Sequence, residues 1–141
     1  MKKNLVRDWM SANPLTIGLK TSLHDAHKLM RERHVRRLMV VENDKLIGIV
    51  TLGDVQMAEP SSATSLSIFE LNYLLAKLTI DEIMTRNPIT VQASATVRDA
   101  AKLMLDHTIG GLPVMDGDKL VGIITESDIF RVLVQSPDEV G

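Results

Sequence analysis

Two ten-residue stretches hold the residues best suited to chemistry. Lys45 to Asp54 reads KLIGIVTLGD, and 74 positions later Lys119 to Asp128 reads KLVGIITESD. Each ends in Thr-x-x-Asp. At that spacing the Thr hydroxyl caps a helix start and the Asp sits near its positive pole, which is ordinary local stabilisation. The same geometry can serve a ligand. A helix N-terminus offers unpaired N–H groups to an anion. An Asp beside it can accept both hydroxyls of a ribose, and Thr51 and Thr125 can bond ribose or phosphate.

A second feature is His34-Val35-Arg36-Arg37. With Arg31 and Arg33 it makes a basic patch in a chain of net charge -2. Cations suit the negative pole of a helix, which accounts for Arg31 and Arg33. It accounts less well for Arg36 and Arg37, which stand just before a strand. The residues 74 positions on are Gly110 and Gly111. His24 and His27 have a spacing that can hold a metal, but no further ligand follows in a usable pattern, so no metal is expected. His34 and His107 are expected to face solvent. The phosphate-loop, zinc-protease and nucleophile-elbow motifs are missing, and no carboxylate pair is singled out for acid–base work, so an enzyme is not expected. Met30, Met39, Met104 and Met115 fall at core spacing, and Trp9 anchors the opening turn.

The elements that carry these residues repeat. Met10 to Val55 (copy one) slides without gaps onto Met84 to Ile129 (copy two), and about 18 of 46 pairs are identical. Val6 to Met10 reads as a helical turn, stopped by Asn13-Pro14. Leu15 to Ile17 is a short strand. Ser22 caps a helix with Asp25 three residues on, and Leu23, Ala26, Leu29 and Met30 form its apolar face. Leu38 to Val41 and Leu46 to Val50 are strands joined by an Asn43-Asp44 turn. Thr51-x-x-Asp54 opens the next helix. Copy two repeats this with Thr96 and Asp99 as cap, a Gly117-Asp118 turn, and a helix from Thr125 through Val134. Between the copies, Glu59 to Thr64 is a polar loop. A helix follows, capped by Ser67 and Glu70; its face of Ile68, Leu71, Leu74, Leu75 and Leu78 is expected to pack on the core. The ends, Met1 to Asn4 and Gln135 to Gly141, are expected to fray. The organisation is thus 5–58 for repeat one, 59–78 for linker loop and helix, and 79–134 for repeat two.

Bulk properties narrow the classes. A chain of 141 residues with 45% hydrophobic and 24% charged residues is globular. Its slight acidity gives no general pull toward nucleic acid or anionic membrane. There is no long apolar run or signal-peptide pattern, so a cytoplasmic location is expected. The absence of Cys removes disulfides and thiol chemistry. A three-strand, two-helix unit alone buries little surface. Two copies related by a pseudo-two-fold axis would put both Thr-x-x-Asp turns beside their seam, a favoured setting for ligands.

The doubled strand, Gly, strand, Thr-x-x-Asp pattern resembles the tandem cystathionine β-synthase (CBS) domain pair over about residues 5 to 134. SLSIFELNYLLAKL followed by TIDEIMTRNPITV is similar to the acetoin-utilisation type, whose members often carry a further regulatory domain after the pair. The resemblance implies an α/β (α+β) fold of two β-α-β-β-α repeats with pseudo-two-fold symmetry, and dimers. It also implies adenosine-containing ligands bound between copies: AMP, ADP or ATP, with S-adenosylmethionine or NAD as further possibilities. Family pairs usually sense ligand and act on a partner, here an unidentified regulated protein.

The resemblance also implies site residues. Cleft one would join Ile123, Thr125 and Asp128 to Met10, Leu15, Thr16, Val35, Arg36 and Arg37, with the Arg pair on phosphate. Cleft two would join Ile49, Thr51 and Asp54 to Met84, Ile89, Thr90, Ile109 and Gly110, which suits a nucleoside, a weaker nucleotide or nothing. Adenine would lie against Leu15, Val35 and Ile123, its edge read by backbone of the Thr16 strand. The rival expectation is a dimerisation scaffold with empty clefts. Nucleic acid binding through the Arg31 to Arg37 patch is disfavoured by the net acidity.

Overall fold

The computed structural model describes residues 4–59 and 67–135. The polar loop expected at Glu59 to Thr64 lies outside the described residues beyond Glu59, as do most of the two ends expected to fray. The chain divides into two units, Leu15–Asn87 and Met1–Pro14 with Pro88–Gly141.

The continuous unit contains β2 (Thr16–Ile17), α2 (Leu23–Arg33), β3 (Arg37–Glu42), β4 (Lys45–Thr51), α3 (Leu52–Ala58), α4 (Ile68–Lys77), a 3-10 turn at Ile80–Glu82 and β5 (Thr85–Arg86). Its sheet runs β2-β3-β4-β5, with β2 parallel to β3 and the other pairs antiparallel. Asn43 and Asp44 both take positive φ, 51° and 63°, as a two-residue hairpin requires. Ser22 Oγ accepts the Asp25 N–H at 3.0 Å, so the expected cap of α2 is made. Leu23, Ala26, Leu38, Val40, Val50, Val55 and Ile80 are wholly buried in the core between sheet and helices.

The discontinuous unit contains α1 (Val6–Trp9), β1 (Ser11–Ala12), β6 (Val91–Gln92), α5 (Val97–His107), β7 (Gly111–Asp116), β8 (Lys119–Thr125) and α6 (Glu126–Gln135). Its sheet order is β1-β8-β7-β6, with β6 parallel to β7 and the rest antiparallel. Thr96 and Asp99 form a reciprocal capping box on α5. Val6, Ala100, Leu112, Val114, Ile124 and Val132 fill its core. Each copy therefore folds as the expected β-α-β-β-α unit.

Each sheet has a fourth strand that the sequence did not announce. β1, from the segment opening copy one, pairs with β8 of copy two. β5, from the segment opening copy two, pairs with β4 of copy one. The exchange is reciprocal, and both crossings occur at Asn-Pro. Asn13 and Asn87 stand at φ 55° and 50°. Asparagine tolerates this left-handed region better than most residues, its short amide bonding locally.

The linker helix departs from expectation. Ser67 does cap α4. Leu78 packs on the core of the continuous unit, but Ile68 and Leu74 are exposed, as are Phe69 and Tyr73. The helical period alone does not say how closely a neighbour covers a face, and of that face Leu71 and Leu78 are half-buried. Among the described residues no helix is long and apolar enough to cross a membrane.

Candidate functional site

The geometry of each Thr-x-x-Asp turn begins with the strand leading into it. β8 delivers Thr125 to the start of α6. The Thr125 N–H donates to Asp128 Oδ2 at 2.8 Å, and its hydroxyl lies 3.3 Å from the same oxygen. Asp128 is 4% exposed, and Arg131, one helical turn on, donates from Nη1 to Asp128 Oδ1 at 2.5 Å. A carboxylate this buried is sustained by such charge-assisted bonds. The sequence reading of Asp128 missed Arg131, although i,i+3 spacing on a helix is a signal for such a pair.

Copy one builds the same turn with a different lock. The Thr51 N–H donates to Asp54 Oδ2 at 2.9 Å, and the Asp54 N–H donates to Thr51 Oγ1 at 3.1 Å. Where copy two has Arg131, copy one has Met57, 89% exposed. The two acidic turns are thus alike in backbone and unlike in charge.

The strand glycines allow the exchanged segments to come close. A Cβ on Gly122 would stand 2.6 Å from Met10 Sδ and 2.8 Å from the Ser11 carbonyl oxygen. One on Gly48 would stand 2.6 Å from Met84 Sδ and 3.0 Å from the Thr85 carbonyl oxygen. Glycine in a strand often marks such an approach of another backbone. Consequently Met10 lies beside β8, in the unit that also holds Ile123, Thr125 and Asp128, and Ser11 is the register partner of Ile123. Likewise Met84 lies with Ile49, Thr51 and Asp54, and Thr85 is the partner of Ile49.

The other predicted residues belong to the other unit from the acidic turn to which each was assigned. Leu15, Thr16, Val35, Arg36 and Arg37 belong to the continuous unit. Thr16 pairs with Met39, and the Leu15 carbonyl accepts the Met39 N–H at 3.2 Å. His34 takes a left-handed φ of 54° as the C-cap of α2 and turns the chain toward Arg36 and Arg37. Arg36 is exposed, and its carbonyl accepts the Leu52 N–H at 2.8 Å. Arg37 is the first residue of β3 rather than lying before it, and stands opposite Thr51. Within one unit, then, the backbone of Arg37 runs beside that of Thr51 in the same copy. Ile89, Thr90, Ile109 and Gly110 belong to the discontinuous unit. The Gly110 carbonyl accepts the Glu126 N–H at 3.0 Å, repeating the Arg36 bond without its side chain.

The histidines fall in two groups. His34 and His107 are exposed. His27 Nδ1 lies 2.5 Å from Glu59 Oε1, tying α2 to the residue after α3. The sequence reading missed this pair, because its members are 32 positions apart with no shared pattern.

The CBS domain family model matches residues 6–60 and 80–135. Three solved structures resemble the chain closely. The CBS domain pair of protein MJ0100, in complex with 5′-methylthioadenosine and S-adenosyl-L-methionine, is 32% identical at a TM-score of 0.77, over 94% of this chain and 98% of that one. CBSX2 of Arabidopsis thaliana in complex with AMP is 30% identical at 0.76, over 94% and 97%. A putative acetoin utilization protein (AcuB) of Vibrio cholerae is 32% identical at 0.78, over 97% and 95%. Longer curated relatives also match, and the chain spans 21% and 23% of the length of two of them.

Proposed function

This chain belongs to the CBS domain family, and on that premise we propose that it is a ligand-sensing regulatory module for adenosine-containing nucleotides. The observation that carries the reading is the doubled acidic turn. Each Thr-x-x-Asp sits at a helix N-terminus beside an exchanged strand, and Asp128 keeps a carboxylate buried there. Solved relatives hold AMP, S-adenosyl-L-methionine and 5′-methylthioadenosine, and adenosine is common to all three.

In the proposed site, Asp128 takes the ribose hydroxyls and Arg131 gives up Oδ1 as they arrive. Arg36 and Arg37 take phosphate, and Leu15, Val35 and Ile123 enclose the base. The second site uses Asp54 and Thr51 with Ile109 and Gly110, and Gly110 in the place that Arg36 holds in copy one favours ligands with less phosphate. The module works as a homodimer. Occupancy shifts the population between two arrangements that a partner protein distinguishes.

Calorimetry and thermal scans with AMP, ADP, ATP, S-adenosylmethionine and NAD test the reading. Ligand at a hundredfold excess over its dissociation constant stabilises by about 2.7 kcal/mol. A charge-assisted bond to phosphate is worth about 1.5–3 kcal/mol, so Arg37→Ala weakens nucleotide binding roughly tenfold to a hundredfold, more than Thr51→Ala. Unchanged affinity in Arg37→Ala overturns the phosphate assignment. No response to any of the five ligands overturns the sensing role and leaves a dimerisation scaffold.

A further inference from the structure

We propose that Arg131 is a specificity-determining residue: a competitor, built into the chain, for the carboxylate that takes the ribose hydroxyls. It makes the Asp128 hook lax toward a vicinal diol, while the Asp54 hook, which has no such competitor, is strict. The inference deepens the nucleotide reading above and rests on it.

An ionised carboxylate has about four acceptor positions, two on each oxygen. At Asp128 the Thr125 N–H, at 2.8 Å, and the Thr125 hydroxyl, at 3.3 Å, both turn to Oδ2. Arg131 Nη1 donates to Oδ1 at 2.5 Å. Three positions are thereby taken, and one is left on Oδ1. A vicinal diol brings two O–H donors. One can use the remaining position, and the second must displace a donor already there.

Exposure decides which donor yields. The Thr125 N–H is main chain at the junction of β8 and α6, and the hydroxyl hangs from the same residue, so neither moves without the turn. Arg131 is free at its outer end: its side chain is 55% exposed, against 6% for Asp128. A long helical side chain leans back toward the N-terminus, which is how the guanidinium reaches a carboxylate three residues earlier. A change of rotamer returns it to water. Asp128 cannot follow, and a buried carboxylate is costly when unpaired. Arg131 therefore holds Asp128 in the empty protein and departs only in exchange for another donor.

Copy one lacks the competitor. The Thr51 N–H donates to Asp54 Oδ2 at 2.9 Å, but the Thr51 hydroxyl oxygen is occupied in accepting the Asp54 N–H at 3.1 Å. The position of Arg131 is held by Met57, 89% exposed and with no N–H to give. Both hydroxyls of a ribose can bond Asp54 with no guanidinium from its own helix to displace. At Asp54 the second hydroxyl adds a bond; at Asp128 it adds one and breaks one. A 2′-deoxy sugar, with a single hydroxyl for either hook, thus loses much at Asp54 and little at Asp128.

Calorimetry with AMP and 2′-deoxy-AMP reads this as a ratio of affinities. In an Asp54→Asn background, which leaves Asp128 as the remaining hook, the preference for AMP is expected to be small. Arg131→Met, which gives copy two the residue of copy one, is expected to raise that preference about tenfold, through tighter AMP rather than weaker 2′-deoxy-AMP. Tenfold is the lower end for a charge-assisted bond, as suits a half-exposed partner. Met57→Arg, at a position too exposed to endanger the fold, is expected to lower the preference in an otherwise unaltered chain, and it carries the test should Arg131→Met fail to fold. An Arg131 needed only to neutralise Asp128 would shift the urea midpoint and leave the ratios alone. A preference that Asp54→Asn and Asp128→Asn together abolish, but that Arg131→Met and Met57→Arg leave unmoved, overturns the competitor and leaves the ribose hooks standing. Equal binding of AMP and 2′-deoxy-AMP in every variant overturns hooks and competitor alike. No binding of AMP to the wild type overturns the inference, and the five-ligand panel then decides the sensing role.

Discussion

Replacing Gly122 with alanine tests how the opening segment of the chain is seated. The new Cβ would stand 2.6 Å from Met10 Sδ and 2.8 Å from the Ser11 carbonyl oxygen. The thioether can swing aside at little cost. The carbonyl is main chain in the β1–β8 ladder, where Ser11 faces Ile123, and moving it strains that pairing. Overpacking of this kind costs about 1–3 kcal/mol, and we expect about 2. At about 2–8 °C per kcal/mol across domains of 60–250 residues, the midpoint should fall by roughly 5–15 °C. Urea denaturation with a constant slope and a calorimetric scan measure it. Two further variants calibrate the result. Gly48→Ala meets Met84 Sδ at 2.6 Å but the Thr85 carbonyl only at 3.0 Å, so it should lose less; Gly18→Ala meets nothing within 4 Å. A Gly122→Ala protein as stable as Gly18→Ala would refute the close seating of β1.

Other expectations concern local features. Thr96→Ala removes the hydroxyl that accepts the Asp99 N–H at 3.1 Å and should cost about 1 kcal/mol in urea, with Thr96→Ser recovering most of it. Lys20, at 2.7 Å, and Thr79 donate to Asp81 and hold its carboxyl below the ordinary carboxylate range. A depressed folded pKa stabilises above the unfolded value, and that contribution disappears as pH falls through the folded one. The wild type should therefore exceed Asp81→Asn by a constant urea midpoint difference near neutrality, shrinking only under acid. A difference that instead shrinks between pH 6 and 8 would contradict this.

What the sequence disclosed was whatever chemistry is local. Ser22, Thr51 and Thr96 cap helices because each lies three residues before an acid whose N–H it meets. Asn43-Asp44 turns because both residues tolerate positive φ. The duplication identified the glycines, but not what they make room for. β1 and β5 are two residues long, too short for any alternation, and each is held by a sheet of the other copy. Arg131 and Glu59 were missed for different reasons: the first was overlooked at a readable spacing, while the second meets His27 only through tertiary structure. The exposure of α4 is likewise a matter of neighbours, which periodicity does not encode.

The exchange of edge strands has a consequence for how the protein is born. Residues 15–87 are one uninterrupted stretch and can close their sheet soon after Arg86 leaves the ribosome. Ala12 must wait for Gly122, 110 positions later. At about 5–20 residues per second, that delay is roughly 5–20 s. For that interval Val6 and Trp9 are apolar groups with no home, made well before the core that shelters them.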